Sequence, residues 1–177
     1  MEKKEEQPFY EDRTFFVSSP SPKSPEKKRV LVFGTFDILH PSHLRFLYEA
    51  RKTAGTDDCE LVLVLARDSS ILRIKGRAPI FNEYQRLRVI SSIRLVDYVL
   101  LGNKGVEIFD VILQVDPDII VLGYDQIPKH EEALRAFILS NHLTAKVHRL
   151  PKFESGDLSS SSEVREKVLE MKKSSSK

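Results

Sequence analysis

From Arg29 onward, hydrophobic residues alternate between short unbroken runs and longer stretches in which apolar positions recur at helical spacing. The runs Val30–Phe33, Glu60–Leu65, Val99–Leu101 and Asp118–Leu122 predict strands buried on both faces, because a parallel strand covered by helices has no polar side. Lys146–Leu150 is a fifth candidate. Between the strands, helices are expected at 42–54, 82–94, 105–115 and 129–141. The first carries Leu44, Leu47 and Tyr48 at helical spacing, and Asn82 is placed to cap the second. Strand and helix in alternation predict an α/β fold with a parallel sheet and helices on both faces. In such sheets ligands bind outside the carboxyl ends of the strands. That rule selects three polar or glycine-bearing segments, 34–43, 66–70 and 123–126.

Composition narrows the class. A chain of 177 residues suits one domain with a buried core. No apolar run approaches the roughly 20 residues of a membrane span. Net charge of +2, from 28 basic against 26 acidic side chains, lacks the clustered positive excess of a nucleic-acid binder. Cys59 is the single cysteine, which rules out an intrachain disulfide and suits a reducing cytoplasm. Residues 1–28 have a different character: Ser18–Pro25 alternates proline with serine and lysine, as in extended, poorly packed chain. They are expected to form a flexible extension, with Phe9, Tyr10, Phe15, Phe16 and Val17 as apolar points able to dock elsewhere. Residues 29–173 form the expected domain, and 174–177 a disordered tail.

Candidate chemistry concentrates in the stretch Val30–His43. Gly34 ends the first strand where backbone must turn or approach a ligand, and Pro41 and Ser42 open the next helix. A helix start after a tight loop offers unpaired N–H groups and a positive dipole end to a phosphate. His40 and His43, three residues apart, add donors able to carry charge to that anion. Metal ligation by the pair lacks a third ligand at zinc-like spacing. Arg73-Ile-Lys-Gly-Arg77 puts three cations around a glycine in a long loop after the second strand, a composition able to wrap a polyphosphate. Arg86, early in the next helix, is placed to point back into the same cleft. Ser160 with Glu163 fits a capping box before a short amphipathic helix that carries Arg165.

Together, Gly34-Thr-Phe-Asp37, His40-Pro-Ser-His43, Arg73-Ile-Lys-Gly-Arg77, Glu83-Tyr-Gln-Arg86 and Ser160-Ser-Ser-Glu-Val-Arg165 resemble the cytidylyltransferase-like nucleotidylyltransferases. The resemblance spans about residues 29–170. Within that superfamily the chain is most similar to archaeal-type FAD synthetases, notably in Ala66-Arg-Asp68, Ile74–Pro79 and Pro117–Gln126. The resemblance implies a Rossmann-like, doubly wound parallel sheet of about five strands. It implies FMN adenylyltransferase activity: the phosphate of FMN attacks the α-phosphorus of ATP, with Mg²⁺ across the triphosphate, giving FAD and pyrophosphate. It further implies a cytoplasmic homodimer with small-molecule substrates only, and no nucleic-acid or membrane partner. By position, His40, His43, Lys75 and Arg165 would be catalytic. Thr35, Phe36, Pro41, Ser42, Asp125, Arg86, Ser161 and Ser162 would join the histidines in holding the nucleotide, with no metal ligands among them. Ser42 stands where the family pattern carries glycine, and Ser162 where it carries threonine. A cytidylyltransferase acting on glycerol 3-phosphate or another small phosphomonoester is the neighbouring alternative, and a non-catalytic nucleotide-binding module the other.

Overall fold

The computed structural model describes residues 20–103, 108–126, 128–153 and 160–175. Five strands, β1 (Lys28–Gly34), β2 (Cys59–Leu65), β3 (Tyr98–Leu101), β4 (Ile119–Leu122) and β5 (Lys146–Arg149), form one sheet in the order β3-β2-β1-β4-β5. Every neighbouring pair is parallel. The helices are α1 (Pro41–Lys52), α2 (Asp68–Lys75), α3 (Glu83–Ser91), α4 (Val111–Val115), α5 (Pro128–Ser140) and α6 (Ser161–Ser174). The strands run as continuous apolar stretches because each face is covered. Val30 and Val32 join Leu47, Leu87 and Ile90 of α1 and α3 on one side, while Leu31 joins Val111, Ile112 and Leu134 of α4 and α5 on the other. The chain leaves β1 toward β2 and later returns to β4 on β1's opposite edge, so the strand order reverses at the β1/β4 boundary. A cleft opens there, beyond the carboxyl ends.

The expectations for α2 and for the inward face of α1 need correction. The segment holding Arg73, Lys75 and Arg77 was expected to be a long loop; instead Asp68–Lys75 is helix α2. Its apolar residues form no clean stripe, since Ile71 is buried while Leu72 and Ile74 are exposed, so helical periodicity is weak. Gly76 ends this helix in the left-handed region at φ 68°, its N–H donating to the Leu72 carbonyl, and is therefore a helix stop. In α1, Leu47 is fully buried, but Leu44 and Tyr48 are 42% and 48% exposed. The inward stripe is instead His43, Leu47, Ala50 and the following Ala54, spaced four, three and four apart, with the histidine at its head.

Asn82 does cap α3, accepting from the Tyr84 and Gln85 amides while Gln85 reaches back to the Asn82 N–H. Ser160 and Glu163 form the same reciprocal box at α6. Residues 108–110 precede α4 without being helical, so the described part of the helix expected at 105–115 is shorter. Phe9, Tyr10, Phe15, Phe16 and Val17 lie outside the described residues, as do 104–107, Ser159 and the last two residues. Residues 20–27 are tied to the amino-end edge of the sheet. Lys23 pairs with Asp118 at 2.7 Å, and the Ser21 carbonyl accepts from Arg29 at 2.8 Å. Arg29 itself, at the start of β1, is buried against Glu60 and the Val115 carbonyl.

Candidate active site

The floor of the cleft is the turn from β1 into α1. Gly34 is required there: a Cβ would sit 2.3 Å from the Phe36 ring, which folds back over it while Phe36 takes φ 47°. That fold puts the Phe36 ring 4.7 Å from His43 between centroids. His43 in turn stacks on His40, centroids 3.7 Å apart and planes 28° apart. His40 is the N-cap residue of α1 and makes no capping bond with its side chain, and the first turn holds no acidic residue. The helix start therefore keeps its positive end facing the cleft. Burial, helped by His40 and Lys75 nearby, pushes His43 down to about 3. Burial also lowers His40, against the opposing pull of Glu163 and Asp125. The two imidazoles thus favour the neutral form at pH 7, rather than being the charged donors the sequence suggested.

Cationic and hydroxyl groups close around this pair from α2 and α6. Lys75, at the end of α2, has its pKa lowered by burial despite the attraction of Asp125. Arg77 donates to the Ser162 hydroxyl at 3.1 Å. Ser161 donates to the Ile38 carbonyl at 3.2 Å, which fixes the start of α6 against the β1–α1 turn. Arg165 pairs with Asp37. Burial alone would raise the Asp37 carboxyl, but the Ile80 and Phe81 amides, each at 2.9 Å, and Arg165 outweigh it and hold the group below its usual range. Asp37 is therefore a structural anion that gathers three segments.

A second set of groups, which spacing along the chain did not reveal, fixes the loops themselves. Arg86 is 1% exposed, and its guanidinium donates to the carbonyls of Phe81, Thr35 and Ala66 and to Asp68. It does not line the cleft; it joins the ends of β1 and β2 to α3, which corrects the expectation that it points into the site. Arg67 bridges Glu83 and the Gly102 carbonyl, and Asp68 and Glu83 each accept from the other's backbone N–H. On the far side, Arg149 bonds the Gly123 and Gln126 carbonyls and Glu131, holding the loop that carries Asp125. Gln126 donates to the Phe33 carbonyl at 3.0 Å. The signal for this set was a charged residue beside each strand end, but apart from Arg86 with Phe81 the partners lie 15 to 93 positions apart and cannot be paired by local pattern.

The resulting cleft has a volume of about 460 Å³, within the range of small-molecule sites. Of the residues expected to act, His40, His43, Lys75, Arg165, Thr35, Phe36, Ser42, Asp125, Ser161 and Ser162 all line it. Pro41 and Arg86 do not, Pro41 being the exposed first residue of α1. Four buried polar atoms on the lining, His40 Nδ1, His43 Nδ1, Gln126 Oε1 and Arg165 Nε, make no hydrogen bond with the described residues. Buried polar atoms are normally paired, so this cluster marks a place built to meet a polar ligand. Among the described residues no group of three or more histidine, cysteine or carboxylate side chains converges as a metal site.

Comparison with known proteins gives the family of this fold. Residues 31–167 match the family described as cytidylyltransferase-like. A protein of Thermoplasma volcanium named FAD synthase is 44% identical over 144 residues, covering 81% of this chain and 95% of that relative. One of Korarchaeum cryptofilum with the same name is 44% identical over 138 residues, covering 78% and 90%. A crystal structure titled as a lipopolysaccharide core biosynthesis protein from Thermoplasma volcanium superposes with a TM-score of 0.63 at 40% identity, covering 72% of this chain and 98% of that one. The fold, the cleft at the β1/β4 reversal and the match along most of the sequence identify this chain as a member of the cytidylyltransferase-like family.

Proposed function

We propose that the protein is an FMN adenylyltransferase, joining the AMP moiety of ATP to the phosphate of FMN to give FAD and pyrophosphate. The relatives named FAD synthase support the substrates, at 34–44% identity over most of this chain. The observation that carries the chemistry is the stacked His40–His43 pair at the start of α1, whose Nδ1 atoms have no partner among the described residues. A phosphate oxygen of FMN attacks the α-phosphorus; the new P–O bond forms as the bond to the pyrophosphate oxygen breaks. No protein nucleophile is needed, because such a transfer depends on alignment and on neutralising charge.

In this reading the lining residues take the parts that the family resemblance implies. The triphosphate lies over the N-terminus of α1, against Thr35, Phe36 and Ser42, where its charge draws protons onto His40 and His43. Lys75 and Arg165 stabilise the charge that develops on the transferring group and on pyrophosphate, and Ser161 and Ser162 donate to phosphate oxygens. Asp125 faces the nucleotide from the β4–α5 loop. Mg²⁺ enters as part of MgATP. Arg86 acts through the loops it holds, without touching a substrate. The reading includes a cytoplasmic enzyme, consistent with one buried, unpaired cysteine, and a homodimer whose mass light scattering would report.

Purified protein with MgATP and FMN is expected to release pyrophosphate and form FAD, resolved by chromatography. Turnover restricted to CTP with glycerol 3-phosphate or another phosphomonoester would replace this reading with the neighbouring one. Nucleotide binding without turnover on any pair would make it a binding module.

A further inference from the structure

The cleft has two unlike halves. Near β4, the loop Gly123–Gln126 lines the cleft together with Lys152, whose Nζ lies 5.7 Å from the centre of the Tyr124 ring. The other half is an apolar hollow on the α4/α5 face of the sheet, and the polar machinery described above does not use it. Phe33 and Val64 are register partners on β1 and β2, and Leu122 follows Val121, the partner of Val32. The three form a row across the carboxyl edge of the sheet, and all belong to the core on that face. Leu134 of α5 and Phe109, just before α4, stand opposite the row and also line the cleft. Phe109 is backed by Phe137, ring centroids 5.8 Å apart, which fixes its orientation.

Val64, Leu122 and Leu134 are 3%, 6% and 1% exposed, so the core itself forms the wall at this end of the cleft, and the half-buried Phe33 and Phe109 are the side chains a ligand would meet there. The substrates proposed for this site differ in what they offer those rings. Adenine is a small, polar bicycle read through its nitrogen edges. The flavin ring is a flat tricycle with a dimethylbenzene edge that has no hydrogen-bonding atom. We infer that the hollow formed by Phe33, Val64, Leu122, Leu134 and Phe109 is the seat of the flavin ring, with Phe109 as the residue that selects a flat apolar acceptor. This rests on the FMN adenylyltransferase reading and deepens it. The ring enters on the α4/α5 face, its phosphate reaches toward Lys75 and the histidines, and adenosine occupies the polar half beside Asp125. Acceptors without a flat apolar group, such as glycerol 3-phosphate, leave the hollow unfilled and are poor substrates.

Full-length Phe109→Ala and Phe109→Leu proteins test the assignment, with FMN, riboflavin and ATP binding each measured separately by fluorescence or calorimetry. Phe109→Ala is expected to weaken FMN and riboflavin binding about tenfold, on the scale of one lost aromatic contact. The ATP affinity and the melting temperature of Phe109→Leu should stay at wild-type values. Riboflavin lacks the phosphate, so its response isolates the ring. Weaker ATP binding with unchanged riboflavin binding would seat adenine in the hollow and overturn the inference, as would no change for any ligand. Failure of the underlying activity looks different. Wild-type protein would then make no FAD, while Phe109-dependent riboflavin binding would still locate a ring site.

Discussion

At the scale of single residues, His43 shows how one position takes on two duties. It heads the inward stripe of α1 and is therefore half-buried, and that desolvation keeps its imidazole neutral although it faces a site for anions. Replacing it with alanine is expected to lower turnover roughly 10²-fold or more, the effect of losing one preorganised transition-state donor. An unchanged turnover number would return His43 to packing alone. The same variant has a second readout. A histidine near 6.5 unfolded and about 3 folded binds more protons when unfolded. Its contribution to stability is complete above 6.5 and is lost as pH falls from there toward 3. Wild-type protein should lose stability across that window, with a gentler slope in His43→Ala, as denaturant titrations at stepped pH would show. Asp37 acts lower, because its carboxyl is held below 3.8 and its contribution disappears only as pH falls through that depressed value. The histidines and glycine of this turn were legible in the sequence because turn and helix-start chemistry is local. Their protonation was not, because burial is a property of the assembled fold.

Among the elements, what could be read was set by how far a pattern extends. The strands were legible as unbroken apolar runs, and both capping boxes as local motifs. Helix α2 was missed because it holds only eight residues, is short of a full apolar stripe and depends on Glu83 to accept from the Asp68 amide. Arg86 belongs to the same class, since its acceptors Thr35 and Ala66 lie at the ends of different strands. A buried guanidinium with four acceptors is costly to remove, so Arg86→Ala should destabilise the fold by about 3 kcal/mol or more. Arg86→Lys should recover little of this, because an ammonium cannot reproduce a planar fork of donors. Chemical denaturation of both variants checks the expectation. A lysine variant with wild-type stability and weakened ATP binding would show instead that Arg86 meets the nucleotide directly.

At the scale of the whole molecule, the chain separates its two ends by task. The carboxyl ends of the strands carry the cleft, while the amino ends carry Arg29, Glu60, Asp118 and the segment from Pro20 that bonds to them. An α/β fold and a site beyond the strand ends followed from alternation alone. Strand order and the β1/β4 reversal did not, because register and neighbour choice depend on contacts far apart in sequence. Nor did the docking of residues 20–27, whose proline-and-serine composition resembles a linker. That docking sets an expectation for truncation. Deleting residues 1–25 removes the Ser21 carbonyl from Arg29 and Lys23 from Asp118, both at the end remote from the chemistry. Turnover at 25 °C should be unchanged, since no cleft-lining residue is lost. The melting temperature should fall by about 2–4 °C, the shift that ~1 kcal/mol produces in a domain of this size. Lys23→Ala, which removes the ion pair alone, should produce less than half of that fall because the pair is partly exposed. A truncated protein that melts normally but turns over slowly would reverse the assignment, linking the amino-terminal segment to catalysis rather than to the stability of the sheet.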